Sequence, residues 1–357
     1  MDIKDLLQLS VDRKASDLHL LVGVPPMLRI DSVLMPIAKE ASLTPDQIEG
    51  YLKKILSVEQ TERIAVNKEI DFSIPFSDKA RFRANAYTQR GTYAVSFRRI
   101  PLEIPTIEGL GLPKMLYTFT PLRQGLILLT GPTGHGKSTT LAAILEVINT
   151  TRDVHIITIE DPIEFIFKPK KAIISQREMQ KDTLSWTTAL RSVLREDPDV
   201  VMVGEIRDYE TMAATMTVAE TGHLVFATLH TNSATQSIDR MIDIFPKEQQ
   251  QQVRLQLSSV LEAVFSERLI PSIGGGLAVA YEVMLGTTAV KTVIREGKTH
   301  QLDNIIQTSQ EIGMNSLDSS LAVLVKAGTV ELETASTFSL RPDELNRLVK
   351  GSKSQSK

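Results

Sequence analysis

The 357-residue chain is 42% apolar and 23% charged, with a formal net charge of −3, the profile of a folded globular protein long enough for two domains. So small a net charge gives no electrostatic bias toward nucleic acid or an anionic lipid surface. The absence of cysteine excludes disulfides and thiolate metal sites and fits a reducing cytosol.

Met1–Ser10 already carries Asp2, Lys4 and Asp5, so no secretory leader is expected there. No stretch approaches about 18 uninterrupted apolar residues, and any membrane role is expected to be peripheral. Asp2–Arg13 reads as a short amphipathic helix, and Asp17–Leu21 and Met27–Ile30 read as strands. Thr44-Pro45-Asp46-Gln47 is a capping box with proline in the first turn, opening a helix to about Leu56. Asp71–Ile74, Ala80–Tyr87 and Thr92–Arg99 alternate apolar and polar residues, as strands with one wet face do. The spacing predicts an α+β module over 1–99 and an ordered, proline-punctuated linker over 100–122. From Arg123 apolar runs alternate with helical segments: Leu126–Leu129, Val154–Ile159, Val200–Val203 and Leu224–Thr228. Such runs predict a parallel sheet covered on both faces. After Pro246 the pattern predicts mostly helix to about 350, then a disordered polar tail over 351–357.

The chemistry concentrates in the second half. Gly131-Pro132-Thr133-Gly134-His135-Gly136-Lys137-Ser138 fills every fixed position of G-x-x-x-x-G-K-[ST], between a strand and a helix. Its backbone N–H groups and the following helix end suit a polyphosphate. Lys137 would reach the β- and γ-phosphates, and Ser138 would ligate Mg²⁺. With Thr139 these residues form the expected ATP-binding set. Glu205 follows the strand Val200–Val203, where a Walker B acid sits; glutamate rather than aspartate there points to a water-mediated Mg²⁺ contact. Between them, Glu160-Asp161-Pro162-Ile163-Glu164 sets three carboxylates at a strand end. Glu164 is the candidate general base for an attacking water, with Glu160 and Asp161 orienting Mg²⁺ waters or holding the loop. His223 and His230 bracket the run Leu224–Thr228 on opposite faces of a strand, which argues against a shared metal. His230 reads either as a γ-phosphate sensor or as a hydrogen-bonded structural histidine.

These four blocks, in this order, resemble the secretion-superfamily ATPases that drive type IV pili and type II secretion. They match that family's Walker A loop, Asp box, Walker B and His box. The likeness runs from Ala15-Ser16-Asp17-Leu18-His19-Leu20 to Gly313-Met314. It implies a PAS-like N-terminal domain, then a RecA-like ATPase domain with a helical C-terminal part, assembled as a homo-hexamer. It also implies pilus machinery and an inner-membrane platform protein as partners, and a cytoplasmic location against that membrane. Arg83 and Arg98 match a family arginine pair that reaches the phosphates from the first domain. Arg191 and Arg195 match a second pair near the nucleotide, and Arg240 could serve across a subunit boundary. Ile294-Arg295-Glu296-Gly297-Lys298 resembles the end of the AIRNLIREGK signature of the family's retraction motors, while Ala289-Val290-Lys291-Thr292-Val293 departs from its beginning. His135 stands where the family commonly has serine. Alternatives remain open at this point: an extension or secretion ATPase, an accessory retraction motor, a RecA-like DNA translocase, or a nucleotide-binding scaffold without turnover. The charge balance weighs against nucleic acid.

Overall fold

The structure is a computed structural model that describes residues 1–30, 33–76, 80–100 and 103–351. It divides into two compact units, Met1–Glu103 and Ile104–Lys357. Residues 352–357, most of the expected tail, and Pro101 and Leu102 of the expected linker lie outside the described residues.

The first unit holds α1 (Ile3–Asp12), β1 (Asp17–Leu20), β2 (Met27–Ile30), β3 (Val33–Pro36), α2 (Pro45–Ile55), α3 (Val58–Asn67), β4 (Glu69–Phe76), β5 (Ala80–Gln89) and β6 (Thr92–Ile100). Asp2, Thr44 and Ser57 open the three helices with reciprocal capping boxes, each satisfying helix donors that would otherwise lack partners. The antiparallel sheet runs β3-β2-β1-β6-β5-β4. Leu18, Phe82, Ala84 and Phe97 share a core with Ile3, Leu6, Ile48 and Leu52 from α1 and α2. On the sheet's other face the register aligns Arg29, Asp17, Arg98 and Arg83 across four neighbouring strands.

The second unit opens with 104–122, read from the sequence as a linker. Its residues Ile107, Leu112, Leu116 and Phe119 are buried with Ile127 and Leu129 and so belong to this unit's core. Then come β7 (Gly125–Thr130), α4 (Lys137–Thr151), β8 (His155–Glu160), β9 (Ile173–Glu178), α5 (Trp186–Val193), β10 (Val200–Val203), α6 (Tyr209–Glu220), β11 (Leu224–Leu229), α7 (Ala234–Asp243), α8 (Lys247–Val260), β12 (Leu261–Pro271) and β13 (Leu277–Leu285). The sheet order is β13-β12-β7-β11-β10-β8-β9, parallel except for the β12–β13 pair. α4 packs on one face, while α5 to α8 cover the other. Every residue of β7, β10 and β11 is buried, the mark of strands covered on both sides. The result is an α/β fold with a mixed sheet.

The β12–β13 hairpin, which the sequence reading did not anticipate, interrupts the mostly helical stretch expected after Pro246. Buried Ser266 and Glu267 interrupt its apolar run, and α8 leads into it without a break. Helices return afterwards as α9 (Thr288–Arg295), α10 (Leu302–Thr308), α11 (Leu317–Lys326), α12 (Leu332–Phe338) and α13 (Pro342–Lys350). Among the described residues no helix is long and apolar enough to cross a membrane.

Candidate active site

Four parallel strands, β8, β10, β11 and β7, lie side by side and end on the same edge of the sheet. Open α/β sheets place ligands at that carboxyl edge. β7 delivers the glycine loop, β8 the Glu160–Glu164 loop, β10 Gly204 and Glu205, and β11 His230. Residues far apart in sequence therefore converge because of strand order.

The loop folds as its glycines allow. Gly131, Gly134 and Gly136 have φ of 146°, 80° and 95°, values that side-chain-bearing residues rarely adopt. Gly136 is the N-cap of α4, and among the described residues no side chain caps that helix. Its first N–H groups are left to an anion, so the loop fits a nucleotide's phosphates. Lys137 is buried and curls back, donating to the carbonyls of Gly131 at 2.8 Å and Pro132 at 2.9 Å. Burial lowers its pKa, against the pull of Glu267, Glu205 and Glu164 nearby.

His230 ties the loop to the β10 acid. Its Nδ1 lies 3.4 Å from Lys137 Nζ and 3.3 Å from Thr133 Oγ1, and its Nε2 lies 3.2 Å from Glu205 Oε2. An ammonium can only donate, so Nδ1 is the acceptor and Nε2–H donates to Glu205. Glu205 also pairs with Arg207, which reaches toward Asp161 at 3.8 Å. Burial works to raise the Glu205 carboxyl, but the Arg207 and His230 hydrogen bonds outweigh it and hold the pKa below the usual value. His223 sits at the opposite end of β11, bonded to Thr221 and the Val218 carbonyl.

In the acidic loop the carboxylates divide. Glu160 is buried and accepts from Thr158 at 2.6 Å, Gln176 at 3.2 Å and the Glu164 N–H at 3.4 Å. Burial pushes its pKa to about 7, and its bonds hold the loop. Glu164 is exposed, and among the described residues no side chain or backbone N–H donates to its carboxylate.

The arginines are less gathered. Arg83 and Arg98 are register partners on the polar face of the first unit's sheet, and Arg98 donates to Asp17 at 2.9 Å. Arg191 and Arg195 are exposed, in and just after α5, on the opposite face of the sheet from α4. Among the described residues neither bonds to the loop. The placement of that pair near the nucleotide is what the resemblance implies.

Sequence reasoning missed Thr140 and Glu267. Thr140 donates to Glu267 at 2.6 Å in the buried interior beneath the loop. The Gly274–Gly276 turn was the signal that would have exposed the hairpin carrying Glu267.

This loop, strand order and acid set define a phosphate-loop nucleotide-binding protein. Residues 2–276 match the family described as Type II/IV secretion system protein, and the chain belongs to that family. It is 47% identical to the type IV pilus retractation ATPase PilT of Pseudomonas aeruginosa, over 94% of this chain and 97% of the relative. It is 43% identical to a twitching motility protein of Neisseria gonorrhoeae, over 87% of this chain and 83% of the relative. The crystal structure of the pilus retraction motor PilT with bound ADP superposes with a TM-score of 0.92 at 44% identity. That match covers 97% of this chain and 99% of the other. The resemblance to secretion ATPases drawn from the four sequence blocks is thereby borne out.

Proposed function

We propose that this chain is an ATP-hydrolysing motor that powers retraction of a type IV pilus. The observation that carries the reading is the convergence of Lys137, His230 and Glu205 on one sheet edge, in a chain so similar to PilT along nearly its whole length. In this reading the glycine loop and Lys137 take the β- and γ-phosphates. The hydroxyl of Ser138 and the Glu205 carboxylate are hard oxygen donors suited to Mg²⁺, Glu205 acting through water; the ion supplies charge neutralisation at the phosphates. Glu164 accepts the proton of the attacking water. His230, bonded to both Lys137 and Glu205, senses whether the terminal phosphate is present.

The first unit is a PAS-like domain and the second a RecA-like ATPase domain. Arg83 and Arg98 bring cationic charge to the triphosphate from the first unit. Arg191 and Arg195 lie near the nucleotide, and Arg240 serves across a subunit boundary of a homo-hexamer; all three side chains are exposed and open to such contacts. The ring acts in the cytoplasm on a platform protein of the inner membrane. Deleting the gene in the source organism tests the reading: excess, immobile pili are expected, and bald cells would reverse the direction of the motor.

A second reading, an accessory or extension motor, draws on the departure at Ala289–Val293. In α9, Val290, Val293 and Ile294 are buried while Lys291 pairs with Glu262 at 2.9 Å. The buried face of the helix is apolar, and Lys291 and Thr292 give it residues different from those of the signature.

A further inference from the structure

β12 supports the phosphate loop at several points. The hydroxyls of Thr130 and Ser266 lie 2.6 Å apart in the interior. A Cβ on Gly131 would collide with the Glu267 carbonyl oxygen. The Leu269 N–H donates to His135 Nδ1 at 3.0 Å, so the histidine inside the loop is itself anchored to this strand. Thr140, in the first turn of α4, donates to Glu267 Oε2.

Glu267 is the anomaly in this brace. Its side chain is 1% exposed, and among the described residues its Oε1 has no hydrogen-bond partner. That oxygen lies 3.2 Å from the point a Cβ on Gly136 would occupy, so it faces the back of the glycine turn. One hydroxyl donor is far too little to hold an ionised carboxylate out of water. A negative charge there would also oppose the phosphates that the loop receives.

We propose that Glu267 is a positioning residue for the phosphate loop, bracing the glycine turn from behind as a neutral carboxylic acid. The proposal rests on the ATPase reading above. Burial pushes the Glu267 pKa up to about 8, although the Thr140 hydrogen bond and the Lys137 charge pull it down. At neutral pH the protonated form therefore dominates, and the carboxyl can brace the loop without repelling what it binds.

The test is ATP turnover by the full chain, with kcat and KM resolved and the melting midpoint measured alongside. Glu267→Gln keeps the shape and neutrality and is expected to hold both constants within about twofold of wild type. Glu267→Ala removes the acceptor of Thr140 and is expected to raise KM about tenfold, with a smaller change in kcat. Thr140→Val, which removes the donor at nearly constant shape, is expected to shift KM in the same direction, and it decides the matter if the alanine variant does not fold. Glu267→Gln as impaired as Glu267→Ala would show that the charge is required and overturn the proposal. So would a lowered melting midpoint with KM unmoved in the alanine and valine variants. A wild-type chain without turnover would instead remove the ATPase reading, and this proposal with it; an active wild type with an impaired Gln variant removes this proposal alone.

Discussion

Two carboxylates compete for the role of general base, and the geometry separates them. Glu205 accepts from Arg207 and from His230, and these bonds hold it below the usual carboxylate range. A carboxylate so engaged is a weak base. Glu164 stands exposed at the same edge, close enough to influence the charge on Lys137. Glu164→Gln should therefore lower kcat at least about a hundredfold, the usual contribution of a positioned base. It breaks no hydrogen bond made by the carboxylate among the described residues, and it removes an anion from the neighbourhood of the triphosphate. KM should accordingly stay constant or fall slightly, and the melting midpoint should hold. Glu205→Gln loses the Arg207 pair and must orient its amide oxygen toward His230, so KM for ATP should rise together with the fall in kcat. Because Arg207 is 60% exposed, that pair adds little to stability. The assay is steady-state phosphate release, with equilibrium binding of a fluorescent ATP analogue in parallel. Wild-type turnover by Glu164→Gln beside a hundredfold loss in Glu205→Gln would refute this assignment and move the base to Glu205.

Lys137→Ala should abolish ATP hydrolysis, and undiminished phosphate release would remove Lys137 from the chemistry. Arg83→Ala, on the polar face of the first unit's sheet, should leave circular dichroism and melting unchanged while lowering turnover; unchanged kinetics would make it an ordinary surface arginine. Three buried carboxyls, Glu160, Glu267 and Glu282, titrate at about 7, 8 and 7 in the folded chain against an ordinary 4.5. Their pKa values are raised on folding, so their stabilisation is complete below about pH 4.5 and is lost as pH rises through 7 to 8. Melting midpoints taken from pH 6 to 9 should fall across that window and fall less in Glu267→Gln; a midpoint rising through it would contradict the sign.

Local chemistry made much of this legible. Thr44 with Gln47 and Pro45 marked a helix start that the structure places at Pro45. Val200–Val203 was readable as a strand because it is buried on both faces, and the glycine loop carries its own spacing. α3 was missed because Ile64 is its one buried residue, leaving almost no apolar period to read. β12 was missed because its buried Ser266 and Glu267 find their hydrogen-bond partners in Thr130 and Thr140, more than a hundred residues earlier in the chain. A polar residue inside a strand reads as a break until its distant partner is known. The bonds of His230 to Lys137 and Glu205 depend likewise on strand order, which no local pattern encodes.

Retraction of fluorescently labelled pili, followed in cells whose sole copy of the gene carries Glu164→Gln, joins the site to the work most directly. Such cells should accumulate extended pili that do not shorten. Bald cells, or pili that shorten at the wild-type frequency, would contradict a retraction motor driven by this carboxylate.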